Sequence, residues 1–244
     1  MKYKAIVIYD GSNYNGFQSQ KNNNTIQNKI EDAIFLLTGE KVQVRGSGRT
    51  DAGVHALGQV CDFNMKQNFN VETLPRAINH FLPEDISIKE ITVVQDEFNS
   101  MKDAKNKTYK YTIYSSRNRN PLKRLYAFNT SYKLDINAMT EAAKYFEGTH
   151  DFKAFQKTGS SAKTTVRTIN YLKIEKNVEQ EIVITVNGDG FLYNMVRIIA
   201  GTLFEVGIGK IFPNDILGII ESRQRDRAGK TLPANGLCLL EVNY

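Results

Sequence analysis

The residues best placed to do chemistry are Arg49 and Asp51, two apart within Gly46-Ser47-Gly48-Arg49-Thr50-Asp51-Ala52-Gly53-Val54-His55-Ala56-Leu57-Gly58-Gln59-Val60. Four glycines punctuate those fifteen residues, so neither a helical nor a strand period persists through them. Glycine serves where backbone takes φ > 0 or meets another group closely. The stretch therefore reads as a shaped loop presenting a carboxylate, the group that proton transfer or nucleophilic attack would use. The same spacing also fits a plain hairpin loop in which Asp51 caps the turn.

Two further stretches stand out. Residues 191–206 place Leu192, Met195, Val196, Ile199, Leu203 and Val206 on one helical face, and Phe191, Ile198 and Phe204 make the rest apolar too. Such a helix is largely buried, yet Arg197 sits in its centre. A charge there either meets a buried carboxylate or carries its head to water along its own stem. The net charge of +6 is concentrated: residues 102–124 hold eight basic side chains (Lys102, Lys105, Lys107, Lys110, Arg117, Arg119, Lys123, Arg124) against Asp103 alone. Interleaved with Tyr109, Tyr111 and Tyr114, that stripe has the charge pattern of a nucleic-acid binder. Lysines guarding a strand edge against aggregation would look similar.

Other chemistries find little support. Gly46-Ser47-Gly48 lacks the Gly-Lys-Ser/Thr ending of a phosphate loop, and a strand follows it where a dinucleotide fingerprint requires a helix. Ser47 is not in a Gly-x-Ser-x-Gly elbow. His55, His80 and His150 are scattered, and Cys61 and Cys238 lie singly in apolar runs. That spacing holds no metal and suits buried thiols in a reducing compartment. No window approaches the ~18 apolar residues of a membrane span, and residues 1–10 lack a signal peptide's apolar centre. A cytoplasmic protein without metal or cofactor is expected.

The elements that must position these residues follow from periodicity. Residues 2–9 read as a strand, and Asn24 or Thr25 caps a helix with Ile26, Ile30, Ala33, Ile34 and Leu37 on one face. Strands at 42–45 and 58–63 flank the glycine loop. Thr73 with Pro75 opens a helix, and 86–95 is a strand. After a polar connector the plan restarts with a strand at 107–115, where Tyr109, Tyr111 and Ile113 share a face. A helix around Ile136, Met139, Ala143 and Phe146 follows, then strands at 166–175 and 181–186. Helices at about 191–206 and 213–221 and a strand at 237–242 complete it. Each half runs β-α-β-β-α-β, the second with one extra helix, so the expected fold is α+β: two ferredoxin-like halves, residues 1–104 and 105–244, antiparallel sheets side by side, a catalytic cleft between them. RNA-recognition modules share this strand order, but their signature motif is missing, which weighs against a simple binding module.

Gly48-Arg49-Thr50-Asp51-Ala52-Gly53-Val54-His55-Ala56 resembles the signature loop of the tRNA pseudouridine synthase A family. Three more segments agree in order. Tyr9-Asp10-Gly11 with Gly16-Phe17-Gln18-Ser19-Gln20 resembles that family's opening, Lys107-x-Tyr109-x-Tyr111 one of its strands, and Phe191 to Arg197 with Gly201 its late helix. The resemblance implies isomerisation of uridines in the tRNA anticodon stem-loop by a homodimer that tRNA bridges. It makes Asp51 the indispensable carboxylate, Tyr109 the ring that stacks on the target uracil, and Arg197 the partner of Asp51. Arg49 would help hold the flipped nucleotide out of its stack. Spacing alone cannot separate Tyr109 from Tyr111. A same-family enzyme acting on another RNA or tRNA position remains open, as does a non-catalytic tandem RNA-binding protein. A direct Asp51–Arg197 ion pair is expected in the enzyme reading.

Overall fold

A computed structural model describes residues 1–20, 24–159, 162–178 and 180–244. Parts of the expected loops 10–24 and 153–165 lie outside those residues. Two compact units emerge: Met1–Lys105 with Cys238–Tyr244, and Asn106–Leu237. Both mix helices with antiparallel strands, so the fold is α+β.

In the first unit, β1 (Lys2–Tyr9) pairs antiparallel with both β3 (His55–Asn64) and β4 (Ile86–Val94). The alternation of β1 sends Tyr3, Ala5, Val7 and Tyr9 into the core. Helix α1 (Ile26–Thr38) presents Ile26, Ile30, Ala33 and Ile34 inward. Thr25 caps it by accepting the Asn28 N–H, and Gly39 ends it at φ 72°, the left-handed stop that glycine favours. Helix α2 (Leu74–Asn79) starts on Thr73 with Pro75 in its first turn. The strand expected at 42–45 shrinks to β2 (Arg45–Gly46), and β3 begins three residues before position 58, inside the glycine stretch. The cause is pairing: β10 (Leu237–Asn243) lies parallel to β3, with Cys238 opposite His55 and Leu239 opposite Ala56. That pairing extends β3 backwards.

The second unit is built on β5 (Asn106–Ser115), which pairs antiparallel with β9 (Glu181–Gly188). Strand β9 continues antiparallel to β8 (Val166–Lys176), and β8 to β7 (Gly148–Asp151). A short β6 (Phe128–Thr130) lies parallel to β5. Helices α3 (Ile136–Lys144), α4 (Met195–Gly207) and α5 (Asp215–Ser222) complete the unit. Every residue of α4 is buried except Arg197 and Glu205. It starts four residues later than the apolar pattern suggests, because Asn194 takes φ 61° and the Met195 N–H closes a turn on Leu192. Among the described residues no helix is long and apolar enough to cross a membrane.

Candidate active site

The loop from Gly46 to Val54 is held by its own unit at almost every residue. Ser47 N–H donates to the Val60 carbonyl at 2.7 Å, continuing the β2–β3 ladder. The buried Ser47 hydroxyl donates to Gln59 Oε1 at 2.7 Å, and Gln59 Nε2 donates to the Gly48 carbonyl at 3.0 Å. The Asp51 carbonyl accepts the Val54 N–H at 3.2 Å, closing a turn with Gly53 at φ 77°, where a side chain would strain the backbone. Main chain thus closes the turn.

Burial sorts the side chains of this loop. Thr50 is buried, Asp51 half-buried and Arg49 exposed. Arg49 Nε donates to Gln18 Oε1, so the guanidinium is tethered at the loop's outer rim. Another nearby carboxylate serves the structure instead. Asp62, 2% exposed, faces Lys2 Nζ at 3.7 Å and accepts the Ser100 N–H at 2.9 Å. Among the described residues no three His, Cys, Asp or Glu side chains converge as a metal-binding group.

In the second unit, β5 separates two tyrosines that periodicity leaves equivalent. Tyr111 is fully buried and donates its hydroxyl to the Pro233 carbonyl at 2.8 Å. Burial pushes its phenol above the usual range, against the pull of the Arg197 guanidinium. Tyr109 keeps 8% exposure and meets Phe191 edge-on at 5.2 Å, a preferred aromatic geometry. Beside it, Asn187 on β9 donates to Asn106 Oδ1 and Thr108 Oγ1, both at 2.9 Å, and accepts from Asn170. That amide network, buried at Asn187 and Thr108, pins the start of β5, and with it the Tyr109 backbone.

Arg197 is half-buried, with Nε donating to the Leu232 carbonyl and Nη1 to Asn194 Oδ1, both at 2.7 Å. The Leu232 N–H returns a bond to the Arg197 carbonyl at 3.2 Å. Asn194 stands at the N-cap of α4 yet makes no side-chain capping bond; its amide oxygen orients the arginine, which sequence reasoning missed. The strap carrying Leu232 sits so close that a Cβ on Gly201 would lie 1.7 Å from the Lys230 carbonyl oxygen. Gly201→Ala is therefore expected to cost about 1–3 kcal/mol, the range of overpacking a tight core. Urea melts at unchanged slope would show it, and a stability within 0.5 kcal/mol (roughly the scatter of neutral substitutions) would contradict it.

The basic stripe is less uniform than its count. Lys102 and Lys105 belong to the first unit and the other six residues to the second. Lys123 pairs with Glu181 at 2.5 Å and lies over the Tyr114 ring. Lys107 is half-buried, and that burial pushes its ammonium down to about 8. Arg117, Arg119 and Arg124 are exposed, so they are the half of the second unit's six stripe residues most open to a partner.

A family model described as tRNA pseudouridine synthase matches residues 5–119 and 142–244. The chain is 53% identical over 242 residues to the tRNA pseudouridine synthase A of Acetivibrio thermocellus, covering 99% of this chain and 98% of that one. It is 49% identical over 240 residues to that of Caldicellulosiruptor bescii, covering 98% and 97%. A tRNA pseudouridine synthase A 2 of Clostridium tetani is also 49% identical over 240 residues, covering 98% and 96%. Arg49, Asp51, Tyr109 and Arg197 all fall within the matched residues.

Proposed function

The chain belongs to the tRNA pseudouridine synthase family, and from that premise we propose that it isomerises uridine to pseudouridine in the anticodon stem-loop of tRNA. The observation that carries this reading is the near full-length family match with Asp51 on its braced loop inside it. The reaction breaks the bond from C1′ to uracil N1, turns the base, and forms the bond from C1′ to C5. N1 gains a proton and C5 loses one, so no electrons, phosphate or water are consumed and no cofactor is called for.

The target atoms lie inside a stacked stem, so the nucleotide must leave the stack to react. Tyr109 offers a ring face to the uracil, a contact worth about 1–3 kcal/mol per base. Arg49, at the exposed rim of the loop, holds the flipped nucleotide out through its phosphate. Asp51 is the reacting carboxylate, and Arg197 its partner. A guanidinium has five N–H donors. With Leu232 and Asn194 each taking one, a bidentate carboxylate is still within its capacity. The enzyme works in the cytoplasm as a homodimer, one tRNA touching both subunits.

Purified protein incubated with unmodified tRNA transcripts tests this. Carbodiimide-dependent primer-extension stops should appear in the anticodon stem-loop. Stops elsewhere would move the target, and none at all would favour a binding protein. Affinity for tRNA should fall steeply with salt, as neutralised phosphates release counterions. Replacing Lys105, Arg117, Arg119 and Arg124 by Ala should flatten the log K against log[salt] slope by roughly 0.7–0.9 for each phosphate no longer neutralised. An unchanged slope would relocate the RNA surface.

A further inference from the structure

We propose that Tyr9 is a positioning residue for the isomerisation, aiming Asp51 through a hydrogen bond to Thr50 and through the segment that follows Tyr9. The inference rests on the reading of Asp51 as the reacting carboxylate. Tyr9 and Thr50 are 3% and 7% exposed, and their hydroxyls lie 2.8 Å apart although 41 residues separate them. Tyr9 is the last residue of β1, opposite Ala56 on β3 and Ile86 on β4. Its ring tilts against Phe17 at 6.3 Å between centroids. The phenol is therefore fixed by a strand with neighbours on both sides, and Thr50 is fixed by the phenol.

The segment beyond Tyr9 clamps the loop on both sides of Asp51. On the Thr50 side, Phe17 N–H donates to the Thr50 carbonyl at 3.2 Å. Gly16 has φ 91°, and a Cβ there would stand 2.3 Å from the same oxygen. On the far side, Gly53 N–H donates to the Tyr14 carbonyl at 3.3 Å. A Cβ on Gly11 would come within 2.0 Å of the Val54 carbonyl oxygen. The backbone entering and leaving Asp51 thus lies against residues 11–17 without room for a methyl group. Such moulding sets where the carboxylate starts from, and a misplacement of about 1 Å at a reacting group can cost ~10²-fold in rate. The Tyr9–Thr50 bond is the one part of this brace that removal of a single oxygen abolishes.

The test combines Tyr9→Phe, Thr50→Val, Thr50→Ser and the Tyr9→Phe/Thr50→Val double variant. Single-turnover rates on saturating tRNA, tRNA Kd and thermal midpoints are measured for each. Tyr9→Phe and Thr50→Val should each slow turnover about 10- to 100-fold, with Kd within about twofold. The double variant should be no slower than the worse single one, the signature of two residues acting through one interaction. Thr50→Ser, which keeps the hydroxyl, should recover most of the rate. Near-normal rates in both single variants would overturn the proposal. So would losses that multiply, a loss confined to Kd, or a lowered midpoint with a normal rate per folded molecule. Asp51→Asn in the same assay separates the two readings. If it is active, the assignment of Asp51 fails; if it is inactive while Tyr9→Phe is normal, only the positioning role fails.

Discussion

Asp51→Asn is expected to leave less than about one per cent of the wild-type rate of pseudouridine formation, a barrier increase above about 2.7 kcal/mol. The substitution keeps size and shape, removes the charge and turns one acceptor oxygen into an NH2 donor. The loop should keep its form, because the bonds that shape it come from the Asp51 carbonyl, the Thr50 carbonyl and hydroxyl, and the Gly53 N–H. Stability should therefore stay within about 1 kcal/mol, the scale of one altered hydrogen bond. Affinity for tRNA should also survive, since the exposed cations Arg117, Arg119 and Arg124 lie in the other unit. The measurement is a single-turnover time course read by primer extension, beside a filter-binding isotherm. Loss of rate with retained Kd is the mark of an interaction made in the transition state. Residual activity above one part in a hundred would remove Asp51 from the chemistry. Joint loss of rate and binding would make the loop an RNA contact instead.

Which parts of this design were legible in the sequence depends on how far apart the cooperating residues lie. Helix α1 announced itself because its stripe, its Thr25 cap and its Gly39 stop are local signals. The start of β3 did not, since residues 55–57 become strand by lying beside Cys238 and Leu239, nearly two hundred positions later. Strands β6 and β7 have three and four residues, too few for a period of two to register. The apolar run of α4 continued past its true start because Phe191 and Leu192 are apolar for packing, while Asn194 breaks the backbone. The site shows the same divide. Arg49 and Asp51 stand in one recognisable loop, but Tyr9 reaches Thr50 only through the fold, and Asn194 serves Arg197 rather than capping its helix. Tyr109 and Tyr111 share a strand face, and it takes tertiary contacts to tell them apart: the Pro233 carbonyl takes up the Tyr111 hydroxyl, while Tyr109 keeps some exposure beside Phe191. Charge counting likewise included Lys123 in the stripe without its partner Glu181, which lies 58 positions away.

Arg197→Met is expected to lose nearly all activity, and Arg197→Lys to keep a measurable part of it. Met is close enough in volume to preserve the packing of α4, so the change isolates the charge and the donors. Two consequences follow, and they are separable. The Leu232 carbonyl and Asn194 Oδ1 each lose a donor at 2.7 Å, which costs about 1–3 kcal/mol per group to the extent that water cannot replace it. That loss appears in denaturant melts. The second is loss of the guanidinium proposed to hold Asp51 ionised and aimed, which appears in turnover by protein that is still folded. Lys restores the positive charge but offers a compact ammonium instead of a planar fork. It cannot meet Leu232 from mid-stem and Asn194 from the tip at once, so it should sit less firmly and recover the rate only in part. An Asn194→Ala variant supplies the bridge between the two: it removes one anchor, keeps the guanidinium, and should fall between wild type and Arg197→Lys in rate. The ordering wild type, Asn194→Ala, Arg197→Lys, Arg197→Met, measured on folded protein, is the expected result. An Arg197→Met enzyme of near-normal rate would reduce Arg197 to a support for the strap. A crystal structure with tRNA in which the guanidinium stands well beyond ~4 Å from the Asp51 carboxylate would dissolve the pair directly.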